Sequence, residues 1–279
     1  MAVGKPYLDE YAVHIVPDAQ SLVTQLAAGA LDMAAPSLRD GDRLDKSGNV
    51  RKFKVPVFDL SGQRCSTSTP RFVNLATYGK ARPYSLPWAQ NSPADEASKE
   101  NFYSFDLDKA SALIKQSGVA NPEIDIQYQA TSDATLPQIV QSNLQQIGVK
   151  VNLKPLELGA WLAAAMNLTY NGLSLNGNGY SNLGLPSSMF ELGAGLSAAK
   201  NFAGWSNAEY SQLIEDIGTE PVDTKRKSLL SRLNDYILDN VFMIEVASNP
   251  GVLAMAPKIN GFHTAVSGSY RFDDVWLSA

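Results

Sequence analysis

Apolar and polar positions alternate over "YLDEYAVHIVPD", where Tyr11, Val13 and Ile15 share one parity and Pro17 ends the run. Alternation of this kind predicts a strand. Asp18 then stands as an N-cap for "AQSLVTQLAAGALD", in which Leu22, Leu26 and Ala30 fall on one helical face and Gly29 weakens the end. A second short strand is expected over residues 31–35, giving a βαβ unit at the start. The next stretch, "VFDLSGQRCSTSTPRF", has no period, is rich in Ser and Thr, and reads as an irregular connection. "GKARPYSLPWAQNSPADEA" carries Pro83, Pro87 and Pro93 and is expected to be extended loop.

Regular patterning returns with Asp106, which caps a helix bearing Ala110, Leu113 and Ile114, closed by Gly118. Strands are expected at residues 124–130 and 150–158, separated by an amphipathic helix with Pro137 in its first turn and Gly148 at its end. A helix over "GAWLAAAMNLTY" and a strand over "NGLSLNGN" follow. This alternation predicts a sheet with helices on its faces. Ser206 and Glu209 are spaced as a capping box for the next helix, and another helix begins near Asp223. "VFMIEVASNPGVLAMAP" reads as two strands broken at its Asn-Pro-Gly.

Composition narrows the function classes. The chain has 279 residues, enough for one large or two ordinary domains, and is 44% hydrophobic with a net charge of −5. An acidic balance without a basic stripe argues against nucleic acid as partner. Cys65 is the single cysteine, so no disulfide forms within the chain, and no histidine lies near it in sequence to activate it. No apolar run approaches the roughly 20 residues that span a bilayer. The opening "MAVGKPYLDEY" has no apolar core, so no signal peptide is expected in this chain.

Catalytic chemistry is thinly represented. His14 and His263 are the two histidines, both expected at the surface or hydrogen-bonded. The sequence contains no HExxH, CxxC, GxSxG or Walker A pattern, so no metal, nucleotide or other cofactor is expected. The carboxylate clusters at residues 106–108, 215–216 and 273–274 do not single out a catalytic pair.

The run "NGNGYSNLGLPSSMF" sits at the end of a strand and could pass for a phosphate cradle. Gly177 and Gly179 occupy the first two glycine positions of a dinucleotide fingerprint, but Asn182 stands at the third, where glycine permits close helix packing. No Lys or Arg lies between Asn171 and Ala199. What the loop offers is Asn176, Asn178, Tyr180, Ser181 and Asn182: amide donors and acceptors with one aromatic face. That chemistry suits an uncharged polar ligand, and a plain Asn/Gly turn is the competing reading. Trp88 and Trp161 are further candidate stacking surfaces, with a core position as the alternative for each.

Several stretches resemble the family 5 extracellular solute-binding proteins of ABC transporters, the dipeptide-, oligopeptide- and nickel-binding group. They are "GKPYLDEYAVHIVPDAQSLVTQLAAGALDMAAP", "YSFDLDKASALIKQSGV", "NFAGWSNAEYSQLIEDI" and the ending "INGFHTAVSGSYRFDDVWLS". The resemblance implies an α/β, type II periplasmic-binding-protein-like fold, with a mixed sheet and flanking helices in one lobe and an incomplete first lobe. It implies residues 1–56 as a partial first lobe, 57–80 as an irregular connection, 81–250 as the second lobe and 251–279 as a return to the first. It further implies a periplasmic or extracytoplasmic, monomeric, non-enzymatic protein that captures a peptide-like or other polar solute, such as an oligosaccharide, between two lobes for permease subunits. Asn182 lies four residues before Pro186, where the family's peptide binders resemble one another in carrying an amine-anchoring Asp. Two other readings stand beside this one: an α/β hydrolase-type enzyme using carboxylates, and a folded remnant without ligand.

Overall fold

The computed structural model describes residues 7–48, 50–62, 78–88, 92–175, 197–264 and 270–278. In chain order the helices are α1 (Ala19–Ala27), α2 (Leu38–Ser47), α3 (Leu107–Gln116), α4 (Thr135–Gln146), α5 (Leu158–Asn167), α6 (Ala208–Thr219) and α7 (Asp223–Asn240). The longer strands are β2 (Arg51–Gly62), β4 (Glu123–Gln129), β5 (Lys150–Leu156), β6 (Gly172–Ser174) and β7 (Ile244–Met255). The remaining strands hold two residues each: β1 (Met33–Ala34), β3 (Arg82–Pro83), β8 (Ile259–Asn260), β9 (His263–Thr264), β10 (Tyr270–Arg271) and β11 (Trp276–Leu277). The chain divides into two compact units, Met1–Val57 with Pro250–Ala279, and Phe58–Asn249. It passes from one to the other within β2 and within β7.

In the first unit, Asp18 caps α1 by accepting from the Ser21 amide at 2.7 Å, as its sequence position predicts. The helix α2, which has too few apolar residues to stand out by pattern, is set by its caps. Ser37 accepts from the Asp40 amide and donates its hydroxyl to the Asp40 carboxylate, while Gly48 ends the helix with a φ of 76°. The first expected strand does not form: residues 7–18 run without strand pairing, so the βαβ expectation reduces to α1 followed by β1. Nor is β7 broken at Asn249-Pro250-Gly251; it is one strand, with β1 antiparallel to it at Met33↔Met255 and Ala34↔Ala254. Its alternation sorts two core clusters. Leu253 and Met255 pack with Ile259, Phe262 and Val275, while Ala254 packs with Val23, Leu26, Leu44 and Val50.

In the second unit, β5, β4 and β6 form a parallel sheet in the order β5-β4-β6. Ile126, Gln127 and Tyr128 are consecutive and all buried, so β4 is covered on both faces, as parallel sheets require. Val140 of α4 joins Ile126, Val151 and Leu173 in the sheet's core. A second core is built around α6 and α7. There the proline-rich segment expected to be loop supplies buried Tyr84, Leu86, Trp88 and Ala94 against Tyr210, Leu233, Ile237 and Phe242. The segment is irregular in backbone but interior in position. Trp205 stacks on Phe242 at 4.5 Å with 3° between the rings.

Two local expectations shift. The cap of α6 is Asn207, not Ser206: its Oδ1 accepts from the amides of Glu209 and Tyr210, so one side chain serves two free donors of the first turn. Strand β2 continues to Gly62, so residues 57–62 are not irregular; backbone pairing overrides the weak period of the side chains.

Candidate functional site

Ligands of open parallel sheets bind outside the carboxyl ends of the strands, where the loops gather. Here those ends are Gln129, Leu156 and Ser174. The first two are tied by the Ala130 amide donating to the Leu156 carbonyl at 2.8 Å. Beyond β6, the Leu175 amide donates to the Gln127 carbonyl at 2.9 Å, and the chain then enters Asn176. The turn after β4 closes through the Ser132 amide to the Gln129 carbonyl.

Two features bring β6 close to β4. Gly172 has a φ of 125°, and a Cβ there would lie 2.6 Å from the Asp125 carbonyl oxygen, so no side chain fits. Two residue pairs further on, Gln127 is only 3% exposed and its Nε2 donates to the Ser174 hydroxyl at 3.0 Å. A buried amide with a partner of this kind fixes register. Sequence reading did not single out this pair. Its signal is the polar Gln127 in mid-strand, flanked by Ile126 and Tyr128.

Asn176, Asn178, Tyr180 and Asn182 lie outside the described residues, as does Cys65. The two tryptophans are described and are not brought together. Trp161, on α5, is 4% exposed and meets Phe202 edge-on at 5.9 Å, and its indole N–H has no hydrogen-bond partner among the described residues. Trp88 is 1% exposed, enclosed by the α6–α7 core, and donates to Asn234, so no ring face is open to a solute. His14 and His263 are both exposed. Among the described residues no cluster of three His, Cys, Asp or Glu is placed to hold a metal ion.

The first unit holds a cavity of about 540 Å³, bordered by Tyr11, Val13, His14, Met33, Asp32 and Phe272. Tyr11 lies over Phe272 with ring centroids 4.3 Å apart, and Asp32 is paired with Lys258 at 2.8 Å.

Comparison with known proteins places this architecture. The family model of bacterial extracellular solute-binding proteins, family 5 middle, matches residues 69–195, the stretch that includes the parallel sheet and the residues that follow β6 in sequence. A curated relative, heme-binding protein A of Haemophilus influenzae, is 22% identical over 93% of this chain and 52% of its own length. Among solved structures, the periplasmic binding protein DppA of Helicobacter pylori in complex with the peptide STSA superposes with a TM-score of 0.81 at 18% identity, over 94% of this chain and 56% of that one. The binding protein AgaA of A. tumefaciens in complex with agropinic acid gives 0.84 at 17% identity, over 99% and 62%. This chain thus spans little more than half the length of the proteins it matches. It has the type II periplasmic-binding-protein fold, and over residues 69–195 it is similar to the family 5 bacterial extracellular solute-binding proteins.

Proposed function

We propose that this chain belongs to the solute-binding component of an ABC importer, taking up a small polar solute outside the cytoplasm and delivering it to permease subunits. The observation that carries this reading is the family match over residues 69–195, which covers the three parallel strands and the residues that follow β6 in sequence. The peptide held by the H. pylori protein and the agropinic acid held by the A. tumefaciens protein are the kind of polar solute such a fold accommodates. No helix among the described residues is long and apolar enough to cross a membrane. In this reading residues 1–56 and 251–279 belong to one lobe and 81–250 to the other, in keeping with the two compact units.

Within that function the solute-facing wall is assigned to Asn176, Asn178, Tyr180 and Asn182; Trp161, buried against Phe202, is left out of it as Trp88 is. An amide at position 182 cannot offer the full charge that a free amino terminus prefers, and charge-assisted bonds are roughly twice as strong as neutral ones. The expected solute is therefore neutral and polar, such as a blocked peptide or a short oligosaccharide. Calorimetry of the purified protein tests this with free tetrapeptides, their N-acetylated forms and short oligosaccharides. Tighter binding of a neutral probe supports the reading. Tight binding of free peptides that vanishes on acetylation overturns the charge argument, and no heat from any probe overturns solute binding by this chain.

A further inference from the structure

Asparagine stands directly before glycine at 171–172, 176–177, 178–179 and 260–261, and the second and third of these pairs lie outside the described residues. An asparagine in that position can lose its side-chain amide without an enzyme, because glycine has no Cβ to screen the following backbone nitrogen. Two restraints oppose the loss: a hydrogen bond on that nitrogen and a hydrogen bond on the carboxamide. Asn171 has neither. It is exposed, and its side chain makes no hydrogen bond among the described residues. The Asp125 amide donates to the Asn171 carbonyl at 2.7 Å, and the Leu175 amide to the Gln127 carbonyl at 2.9 Å, so β6 turns every second amide toward β4. Alternation along the strand gives those places to Leu173 and Leu175 and points the Gly172 amide away from β4. Among the described residues β6 pairs with no other strand. Asn260 is the contrasting case. Its Nδ2 donates to the Lys258 carbonyl at 2.9 Å, which engages the carboxamide with the preceding residues.

We propose that Asn171 is a site of spontaneous deamidation, and that its isoaspartyl product is a modification the β4–β6 join cannot absorb. The Gly172 nitrogen attacks the Asn171 Cγ; the N–Cγ bond forms, the Cγ–Nδ2 bond breaks, and ammonia leaves with the proton given up by the Gly172 amide. Water then opens the cyclic imide at either carbonyl. Opening at Cγ leaves an aspartate in an unaltered main chain. Opening at the backbone carbonyl leaves isoaspartate, whose main chain runs through Cβ and Cγ and is longer by a carbon. The carbonyl withdrawn from the main chain is the one that accepts from Asp125. The added carbon falls beside Gly172, where even a Cβ would lie 2.6 Å from the Asp125 carbonyl oxygen and 2.8 Å from the Ile124 Cβ. The buried Gln127 holds Ser174 further along β6, so the strand cannot slide to take up the extra length. This chemistry acts on the fold and is independent of which solute is bound.

Peptide mapping of the purified protein, aged in its folded state at mildly alkaline pH, tests this; electron-transfer fragmentation tells isoaspartate from aspartate. Conversion at Asn171 should outpace conversion at Asn260 by about tenfold, the rate equivalent of an ordinary hydrogen bond on the Asn260 carboxamide. In protein unfolded with urea both restraints vanish, and the two positions should convert at similar rates. The thermal midpoint of the aged folded protein should fall by about 5 °C as isoaspartate accumulates, as local backbone strain does in a chain of this size. The Asn171→Gln variant, whose longer side chain closes the ring far more slowly, should begin with the midpoint of the unaltered protein and keep it on ageing. Equal conversion at Asn171 and Asn260 in the folded protein, or a ratio that urea leaves unchanged, would overturn the assignment. Isoaspartate at position 171 with no loss of midpoint, or an equal loss in Asn171→Gln, would overturn its effect on the join.

Discussion

The indole N–H of Trp88 donates to the Asn234 side-chain carbonyl across 2.6 Å, and both side chains are about 1% exposed. The Asn234 amide group in turn donates to the Ala94 carbonyl at 2.9 Å and reaches Glu96 at 3.3 Å. Glu96 also accepts from the Ser231 hydroxyl and from Lys99, whose ammonium pairs with Asp235 at 2.6 Å. A segment with almost no backbone ladder is thereby pinned to α7 through side chains. Replacing Asn234 by Leu leaves the Trp88 N–H and the Ala94 carbonyl unpaired in the interior, which costs about 2–4 kcal/mol. Urea unfolding should show this as a lowered midpoint at constant slope; a change below about 0.5 kcal/mol would mean that water or another group replaces the amide.

A second substitution tests how closely β6 approaches β4. Gly172→Ala places a Cβ 2.6 Å from the Asp125 carbonyl oxygen and 2.8 Å from the Ile124 Cβ, at a φ that L residues rarely adopt. The expected loss is about 2–4 kcal/mol, from backbone strain together with displacement of the strand. A neutral result in thermal unfolding would show that β6 can move away freely.

Stability should fall at both ends of the pH scale for identifiable reasons. Burial raises the Glu96 carboxyl, but the bonds from Lys99, Asn234 and Ser231 and the Lys99 charge outweigh it and hold the group below its ordinary 4.5. A depressed carboxylate contributes fully above the unfolded value and loses that contribution as pH falls below about 4.5. Burial lowers Lys99, yet its bonds and charge pairing with Asp235 and Glu96 bring it above 10.5, so its contribution fades as pH rises beyond that. Burial of the Tyr103 phenol, with the Asp239 charge second, pushes it up to about 12; its hydroxyl donates to the Leu238 carbonyl. A raised tyrosine favours the fold below its ordinary 10 and ceases to do so between pH 10 and about 12. Tyrosinate absorbance should show one late ionisation that Tyr103→Phe removes. Ionisation of Tyr103 at pH 10 in the folded protein would contradict its burial.

Position 182, in the Asn-rich run that follows β6 in sequence, gives the functional test. Asn182→Asp should shift preference toward ligands with a free amine, by about tenfold if the new charge-assisted bond adds roughly 1.4 kcal/mol. Paired titrations with free and N-acetylated peptides read the ratio directly. An unchanged ratio would place position 182 away from the solute.

How much of this was legible from the residues varies by element. The parallel sheet and its helices follow from apolar period and from caps such as Asp106, and α1 in the first unit from its Asp18 cap, because in those stretches local preference and tertiary burial agree. The irregular core was not legible: Trp88 and Tyr84 sit among prolines without periodicity, and their burial depends on Asn234 and Phe242, far along the chain. Residues 7–18 failed in the opposite sense. Their alternation is that of a strand, but a strand exists only when a partner accepts its hydrogen bonds. Gln127 and Ser174 escaped notice because each is an ordinary polar residue until the β4–β6 register places them together.

The distance in sequence between Trp88 and Asn234 also has a consequence for synthesis. The two are 146 residues apart, so the ribosome delivers the aromatic segment long before the helix that encloses it. At ordinary translation speeds the nascent chain carries Tyr84, Leu86 and Trp88 without their shelter for on the order of ten seconds. During that interval the exposed aromatic segment is open to aggregation, and the vulnerable moment is set by when α7 emerges rather than by how strongly the finished core is packed.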